Sequence, residues 1–555
     1  MDTEVTTSKV RGVLDVVLPP LLLFFTLVIW GYAVAPFGEP DSDYHLASIY
    51  CSGGENGMCE PGSTPTTRLV REDATQTMCF GQEETENDPC RLRSVNSGQL
   101  VETDRGNFSE QYPQLFYTTA ALALDAETSE SFYSIRTLNS ALVSFGLGLL
   151  AAVLPLARRR ALWMTVSATV VPLGLFIIAS INPTSWTVFG PLFIYFAVVG
   201  VFETAGWRRY VLAALALTAL LFVGGARYDA GAYCLLALFL AVFVTVKFDR
   251  RGTTIELTIL GLLGVTGIFA LFAGVLDSVP GLESLSAMID TLVTGGDGNV
   301  GRRNIVDNTL TVPYIWLGAF GTWPLGWFDV PIPWSVPALT IFVFCGLVFS
   351  SLRQIYWRTA IASISVLAVL IFVPVYILFD RGMAVGEWFQ PRYVLALLVL
   401  FLGILIIHAN LELTRSQRIT ITISLAVAQL IALRAVALRY RFGTAYTNEL
   451  GVTQQWHPMM YALAGGVTFA IFVGYVWLFL ERSGNSTAVP AAASLVATGP
   501  LTGDPHNVTD NSPARSAIGY SKQTANTHIE PNDSGIKPAH SAAHRDRLGD
   551  HVTEK

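Results

Sequence analysis

The amino-acid sequence predicts an all-α, polytopic membrane protein, a bundle of about twelve transmembrane helices with one large, cysteine-containing outer loop after the first of them. Three observations predict it. Of the 555 residues, 52% are hydrophobic and only 14% charged, at a mean hydropathy of +0.47, whereas soluble domains carry roughly a quarter charged residues. Apolar runs of about 20 residues, the length that crosses a hydrocarbon core, recur along the chain. The acidity behind the net charge of −7 is local, since residues 37 to 112 hold fourteen Asp and Glu against five Arg and no Lys. An ordinary soluble enzyme is thereby excluded, and no basic, aromatic-rich patch points to nucleic acid.

The spans are expected near 13–35, 138–157, 161–180, 187–206, 210–226, 231–246, 255–276, 335–352, 359–379, 393–409, 419–437 and 459–480. The first resembles a signal peptide, with Lys9 and Arg11 before it and Ala33-Val34-Ala35 after it. Its apolar stretch exceeds a usual signal core, however, and Pro36 would follow the scissile bond, so it reads as an uncleaved helix. Arg158-Arg159-Arg160, Arg208-Arg209, Lys247, Arg250-Arg251, Arg353, Arg358, Arg415 and Arg418 fall in alternate connections, which places both termini in the cytoplasm. The resulting organisation is a cytoplasmic N-terminus (1–12), a first transmembrane helix (13–36), a first extracytoplasmic loop (37–136), a helical bundle (137–480) with a second outer loop near 277–334, and a disordered cytoplasmic tail (481–555) rich in polar residues.

Cys51, Cys59, Cys79 and Cys90 all lie in the first loop, while Cys234 and Cys345 lie in spans. Four cysteines in an exported loop suggest disulfides, with three pairings open; zinc is the rival, but no Cys-x-x-Cys pair is present. The loop ends in Tyr112-Pro113-Gln114-Leu115-Phe116-Tyr117 and an apolar stretch to Asp125, too short to span and suited to lie along the interface. Trp316, Trp323, Trp327 and Trp334 read as interfacial anchors.

Ionisable groups are missing from the cores of most spans and gather at their outer ends, which fits surface chemistry better than a conduction path. Two clusters stand out. Glu39-Pro40-Asp41-Ser42-Asp43-Tyr44-His45 follows the first span. A helix starting after Pro40 would put Asp41 and His45 one turn apart on one face, able to share a proton or a hydroxyl; the plainer reading is that Asp41 caps that helix and Asp43 is solvated. Glu387-Trp388-Phe389-Gln390-Pro391-Arg392-Tyr393 heads a later span, where a guanidinium could either snorkel or hold a lipid phosphate through two parallel hydrogen bonds. Arg227, Asp229, Arg302, Arg303, Arg381, Arg434, Arg439 and Arg441 are expected at the same level.

Pro40-Asp41 with His45, Tyr112 to Tyr117, Arg136-Thr137-Leu138-Asn139, Ile181-Asn182-Pro183, Arg227-Tyr228-Asp229 and Gln390-Pro391-Arg392-Tyr393 occur in that order. In this the chain resembles a bacterial family, actinobacterial and firmicute, of predicted multi-pass membrane proteins of unknown function related to GT-C-type glycosyltransferases. The resemblance implies a GT-C-like bundle in the plasma membrane and inverting transfer of a sugar from a polyprenyl-phosphate donor to a glycan or lipid acceptor of the cell envelope. It implies that Asp41 is, or stands beside, the catalytic base, with Asp43 and His45 next to it, and that Arg392, Tyr393, Gln390, Arg227, Asp229, Arg381 and Glu387 bind substrate. The chain departs from the family pattern at Ser42 and Asp43, where Glu and Pro are usual, and at Pro391, where Gly is usual; the split of roles between Asp41 and Asp43 is open. No cofactor is required, although carboxylates at Asp41 and Asp43 would suit magnesium or manganese. The other readings are a lipid-linked glycan flippase or transporter and a non-catalytic envelope-assembly scaffold.

Overall fold

The computed structural model describes residues 2–53, 57–75, 99–246, 261, 282–294, 299–353, 355–409, 411–443 and 456–480. The expected span at 255–276 but for residue 261, Cys79, Cys90 and the tail lie outside the described residues, as do the side chains of Arg302 and Arg303. The apolar runs fold as helices. Along the chain they are α1 (Asp2–Ala33), α2 (Ser42–Cys51), α3 (Leu115–Ala120), α4 (Thr128–Val153), α5 (Leu156–Thr169), α6 (Pro172–Ile178), α7 (Gly190–Glu203), α8 (Trp207–Gly224) and α9 (Tyr228–Thr245). They continue as α10 (Leu282–Thr294), α11 (Asn299–Thr311), α12 (Pro313–Leu317), α13 (Ser335–Leu352), α14 (Trp357–Asp380), α15 (Arg392–His408), α16 (Arg415–Phe442) and α17 (Trp456–Gly474).

Among the described residues nine helices are long and apolar enough to cross a membrane, ten if α5 and α6 form one bent span, and α15 is a shorter apolar helix. The bend has a local cause. Val171 precedes Pro172, and the proline ring drives its neighbour out of helical geometry while removing a donor; the two helices diverge by 98°. The break frees the carbonyl of Val170, and Gln429 of α16 reaches in to donate to it at 2.9 Å. Helix α4 begins at Thr128, several residues inside the stretch read as loop from the sequence, because Phe132, Tyr133 and Ile135 already find buried partners there.

Between α1 and α4 the chain builds a small cap with its own core. Strands β1 (Cys59–Pro61), β2 (Arg68–Arg71) and β3 (Leu100–Thr103) form an antiparallel sheet with β2 in the middle. Leu46, Ile49 and Tyr50 of α2 belong to the same apolar cluster as Val70 of β2 and Phe116 and Tyr117 of α3. A Cys51–Cys59 disulfide ties the end of α2 to β1. The segment Tyr112 to Asp125, read from sequence as lying along the interface, instead turns inward at α3, where Phe116, Tyr117 and Ala120 are fully buried. The tryptophans differ in the same direction: Trp316 donates to Leu370 O, Trp327 donates to Phe37 O, Trp323 is buried, and Trp334 alone of the four is largely exposed at 78%.

The cap is joined to the bundle by Arg136 of α4, which is 1% exposed. Its Nη1 donates to the carbonyls of Gly31 and Val34 at 2.9 and 2.7 Å, and its Nη2 to that of Ala35 at 2.9 Å. Nε and Nη2 also grip both oxygens of Glu39, and Glu39 accepts in turn from the Ile181 amide at 3.2 Å. All five guanidinium N–H donors are thus used, three of them on carbonyls at and just past the end of α1, where helix termini leave acceptors open. Arg136→Met should leave Glu39 buried without its counter-charge and destabilise the fold by about 3–5 kcal/mol, read as a lowered unfolding midpoint in detergent. Adding Glu39→Gln should recover part of that loss; no recovery in the double variant would show that the carbonyl contacts, not the ion pair, carry the effect.

Candidate functional site

The turn after α1 carries Asp41 to the loop end of the bundle. Phe37 and Asp41 both adopt the left-handed region, at φ 63° and 60°, a conformation Asp tolerates and Phe does not. Three elements hold the turn in this shape. Trp327 binds Phe37 O at 3.1 Å, Tyr440 of α16 binds Gly38 O at 2.5 Å, and Arg136 holds Glu39. Gly38 has to be glycine, because a Cβ there would stand 2.8 Å from the Tyr440 ring. The neighbouring Arg439 pairs with Asp329 at 2.8 Å, both buried, which fixes the segment that bears Trp327.

Helix α2 starts at Ser42, with Asp41 as its N-cap residue making no side-chain cap bond. The Asp41 carboxylate is therefore available, and it meets Arg392, the first residue of α15: Nη2 donates to Oδ2 at 2.8 Å across 351 residues of sequence. Arg105, from the segment after β3, stands 3.9 Å from the other oxygen of Asp41 and binds Asp43 through both Nε and Nη2. Asp43 is not the solvated residue read from the sequence but 2% exposed, its charge compensated by this arginine. His45 does not share a proton with Asp41. Its Nδ1 lies 3.1 Å from the Tyr117 hydroxyl, and Asp41, as the N-cap residue in left-handed backbone, stands outside the helical geometry that would set its carboxylate one turn from the ring.

Behind the pair, Arg227 is fastened to Asp229 at 2.9 and 3.0 Å and lies over the rings of Tyr112 and Tyr393, 5.5 and 5.1 Å from their centroids. The Tyr393 hydroxyl accepts from Arg392 at 3.3 Å. Arg381 instead covers the Trp388 ring at 3.9 Å and Glu387 closes its own loop on the Ala384 amide; no described contact brings either to Asp41 or Arg392. Sequence reading passed over Arg105 and took Tyr112 and Tyr117 for interfacial residues. Their signal was an aromatic run flanked by polar turns, which stays ambiguous until a partner element is known.

Arg392 is 6% exposed, and its Nε and Nη1 have no hydrogen-bond partner among the described residues. Buried guanidinium donors are seldom left so. The side chain lines a mostly apolar cleft with Leu173, Phe176, Ile177, Trp323, Phe328, Gln390 and Pro391. A cation with two open donors beside an apolar channel suits an amphiphile with an anionic head. The two carboxylates do not suit a divalent ion: each already faces a guanidinium, and among the described residues no cluster of three His, Cys, Asp or Glu is arranged to ligate one.

Burial alone would raise the Asp41 carboxyl, but Arg392, through its charge and its hydrogen bond, outweighs it together with His45 and Arg105 and leaves it below the usual carboxylate range. Burial drives His45 down to about 3, against the opposing pull of Asp41, so His45 is neutral near pH 7. A histidine buried in its neutral form gives stability that is complete above its unfolded value of about 6.5 and is lost as pH falls toward the folded value, since the unfolded chain takes the proton first. Unfolding midpoints of the wild type should therefore drop between pH 6.5 and 4, and His45→Gln should flatten that slope; parallel slopes would remove His45 as its source.

Compared with known proteins, the chain has no match among curated sequences. Its structure is similar to the crystal structure of ArnT from Cupriavidus metallidurans in the apo state, at 12% identity and a TM-score of 0.38, over 84% of this chain and 78% of that one, a likeness too distant to carry an argument. The family model described as predicted membrane protein (DUF2142) matches residues 24–401, a stretch that contains both Asp41 and Arg392. This protein is a member of that family of predicted membrane proteins, DUF2142.

Proposed function

We propose that the protein is a membrane glycosyltransferase of GT-C type that transfers a sugar from a polyprenyl-phosphate donor to a glycan or lipid acceptor of the cell envelope. The observation that carries this reading is the pairing of Asp41 with an Arg392 that lines an apolar cleft, its Nε and Nη1 uncommitted among the described residues. The cleft accepts the start of an isoprenoid chain and Arg392 its phosphate, as a planar fork fits two oxygens. Asp41 takes the proton of the acceptor hydroxyl while that oxygen bonds to the anomeric carbon. The bond from that carbon to the phosphate oxygen breaks, its electron pair stays with the phosphate, and polyprenyl phosphate leaves with inversion. General-base help of this kind contributes roughly 10²- to 10⁴-fold, and the arginine stabilises charge growing on the leaving group.

The Cys51–Cys59 bond supports placing the cap on the oxidising side of a plasma membrane, with both termini in the cytoplasm. Asp41 and Arg392 lie closer than the 7 to 12 Å that a sugar held between them calls for, so turnover requires the pair to separate or the sugar to sit beside it. Arg227, braced by Asp229 between Tyr112 and Tyr393, forms the wall against which a sugar ring packs.

The test is release of polyprenyl phosphate from polyprenyl-phosphate-linked pentoses and hexoses by the protein in nanodiscs. Asp41→Asn should lower transfer by at least about 10²-fold while lipid still binds, and Arg392→Lys should weaken both, since an ammonium cannot reproduce the fork. Donor lipid bound by the wild type without release under any acceptor mixture would favour a carrier or a scaffold over an enzyme.

A further inference from the structure

The pairing of Asp41 with Arg392 presents a chemical conflict. A carboxylate in a 2.8 Å ion pair is held ionised and is a poor proton acceptor, yet the same arginine is buried with two further donors unused. A second anion on the same guanidinium competes for its hydrogen bonds and sets its own negative charge against the cation's. We propose that the phosphate of the donor lipid, by occupying the free Nε and Nη1 groups of Arg392, loosens that arginine's hold on Asp41 and so turns the carboxylate from a salt-bridge partner into a base, making acceptor activation conditional on donor binding. This rests on the donor assignment given above.

The surroundings of Asp41 leave Arg392 as the group able to make that change. Arg105 is 3.9 Å away and is committed through two bonds to Asp43 of α2. His45, also on α2, is turned to Tyr117 and neutral. Tyr44 and Tyr112 carry phenols that burial keeps protonated, and Arg227 is locked to Asp229. Glu39, two residues earlier, is consumed by Arg136. Arg392, on α15, is the charge here with both a direct bond to Asp41 and unused donors. A bound phosphate adds negative charge on its far side, and a nearby like charge raises the affinity of a carboxylate for a proton. The arrangement also orders the reaction. Before the donor docks, Asp41 is the weaker base, so activation of the acceptor follows donor binding.

The experiment follows the protonation of Asp41 by its labelling with a water-soluble carbodiimide and an amine, which attacks the protonated carboxyl, located by peptide mass spectrometry across a pH series. The full-length protein in nanodiscs is compared alone, with a polyprenyl monophosphate and with the uncharged polyprenol; native mass spectrometry reports binding. The labelling midpoint of Asp41 should rise with the polyprenyl phosphate by about one pH unit, about tenfold more labelling at a fixed pH above it, and stay in place with the polyprenol. Arg392→Gln should show a raised midpoint without lipid and no further response. If the phosphate lipid binds and the midpoint stays or falls, the coupling is wrong and the donor assignment stands. If it does not bind, the donor assignment fails and the coupling with it.

Discussion

Everything at the loop end of this protein hangs on how the chain leaves its first helix. Between Ala33 and Asp41 it has to reverse, expose a carboxylate and still satisfy the carbonyls that α1 leaves open, in a place too buried for water to do so. A single side chain solves this: Arg136 binds the carbonyls of Gly31, Val34 and Ala35 and the carboxylate of Glu39. Because that arginine sits on α4, the turn is referenced to the bundle and not to the cap, and Tyr440 and Trp327 add references to α16 and to the segment before α13. Left-handed backbone at Phe37 and Asp41 costs on the order of 1–3 kcal/mol at each residue, and such a shape persists only when the surroundings over-determine it.

The same economy explains why three separate arginines crowd one small region without repelling the fold apart. Arg136, Arg105 and Arg227 each have a carboxylate that takes two of their donors, respectively Glu39, Asp43 and Asp229. Arg392 breaks the pattern with a single bond to Asp41. Where each neighbouring arginine is gripped by both oxygens of a carboxylate, the one held by a single carboxylate oxygen marks where binding capacity remains.

Composition and apolar run length made the helical bundle legible, since a hydrocarbon thickness imposes a length on every span, and α13, α14 and α15 lie close to where those runs place them. The start of α4 was not legible, because its first turns are polar and are buried by the cap and not by lipid. At the site, Asp41 and Arg392 could be singled out because each stands among ionisable groups at the end of an apolar run, where a charge needs a reason. Arg105, Tyr112 and Tyr117 could not, since nothing local distinguishes a loop arginine or tyrosine that packs against a distant helix from one in solvent. Proton sharing between Asp41 and His45 stood open beside the plainer reading of Asp41 as the cap, and it fails because Asp41 is the cap residue, in left-handed backbone outside the helix, where the one-turn relation to His45 does not hold.

The break between α5 and α6 bears on how related chains are read. Gln429 sits in the middle of an apolar helix, where an amide invites interpretation as part of a translocation route. Its hydrogen bond to Val170 O gives it a humbler duty, as a splint for a backbone acceptor exposed by Pro172. The two positions should therefore covary: a homologue that lacks the proline and carries a continuous helix is free to place leucine at the position of Gln429, and one that keeps the proline is not. An alignment that scores the glutamine by itself would rank it as functional; scored jointly with the proline, it becomes a signature of chain geometry.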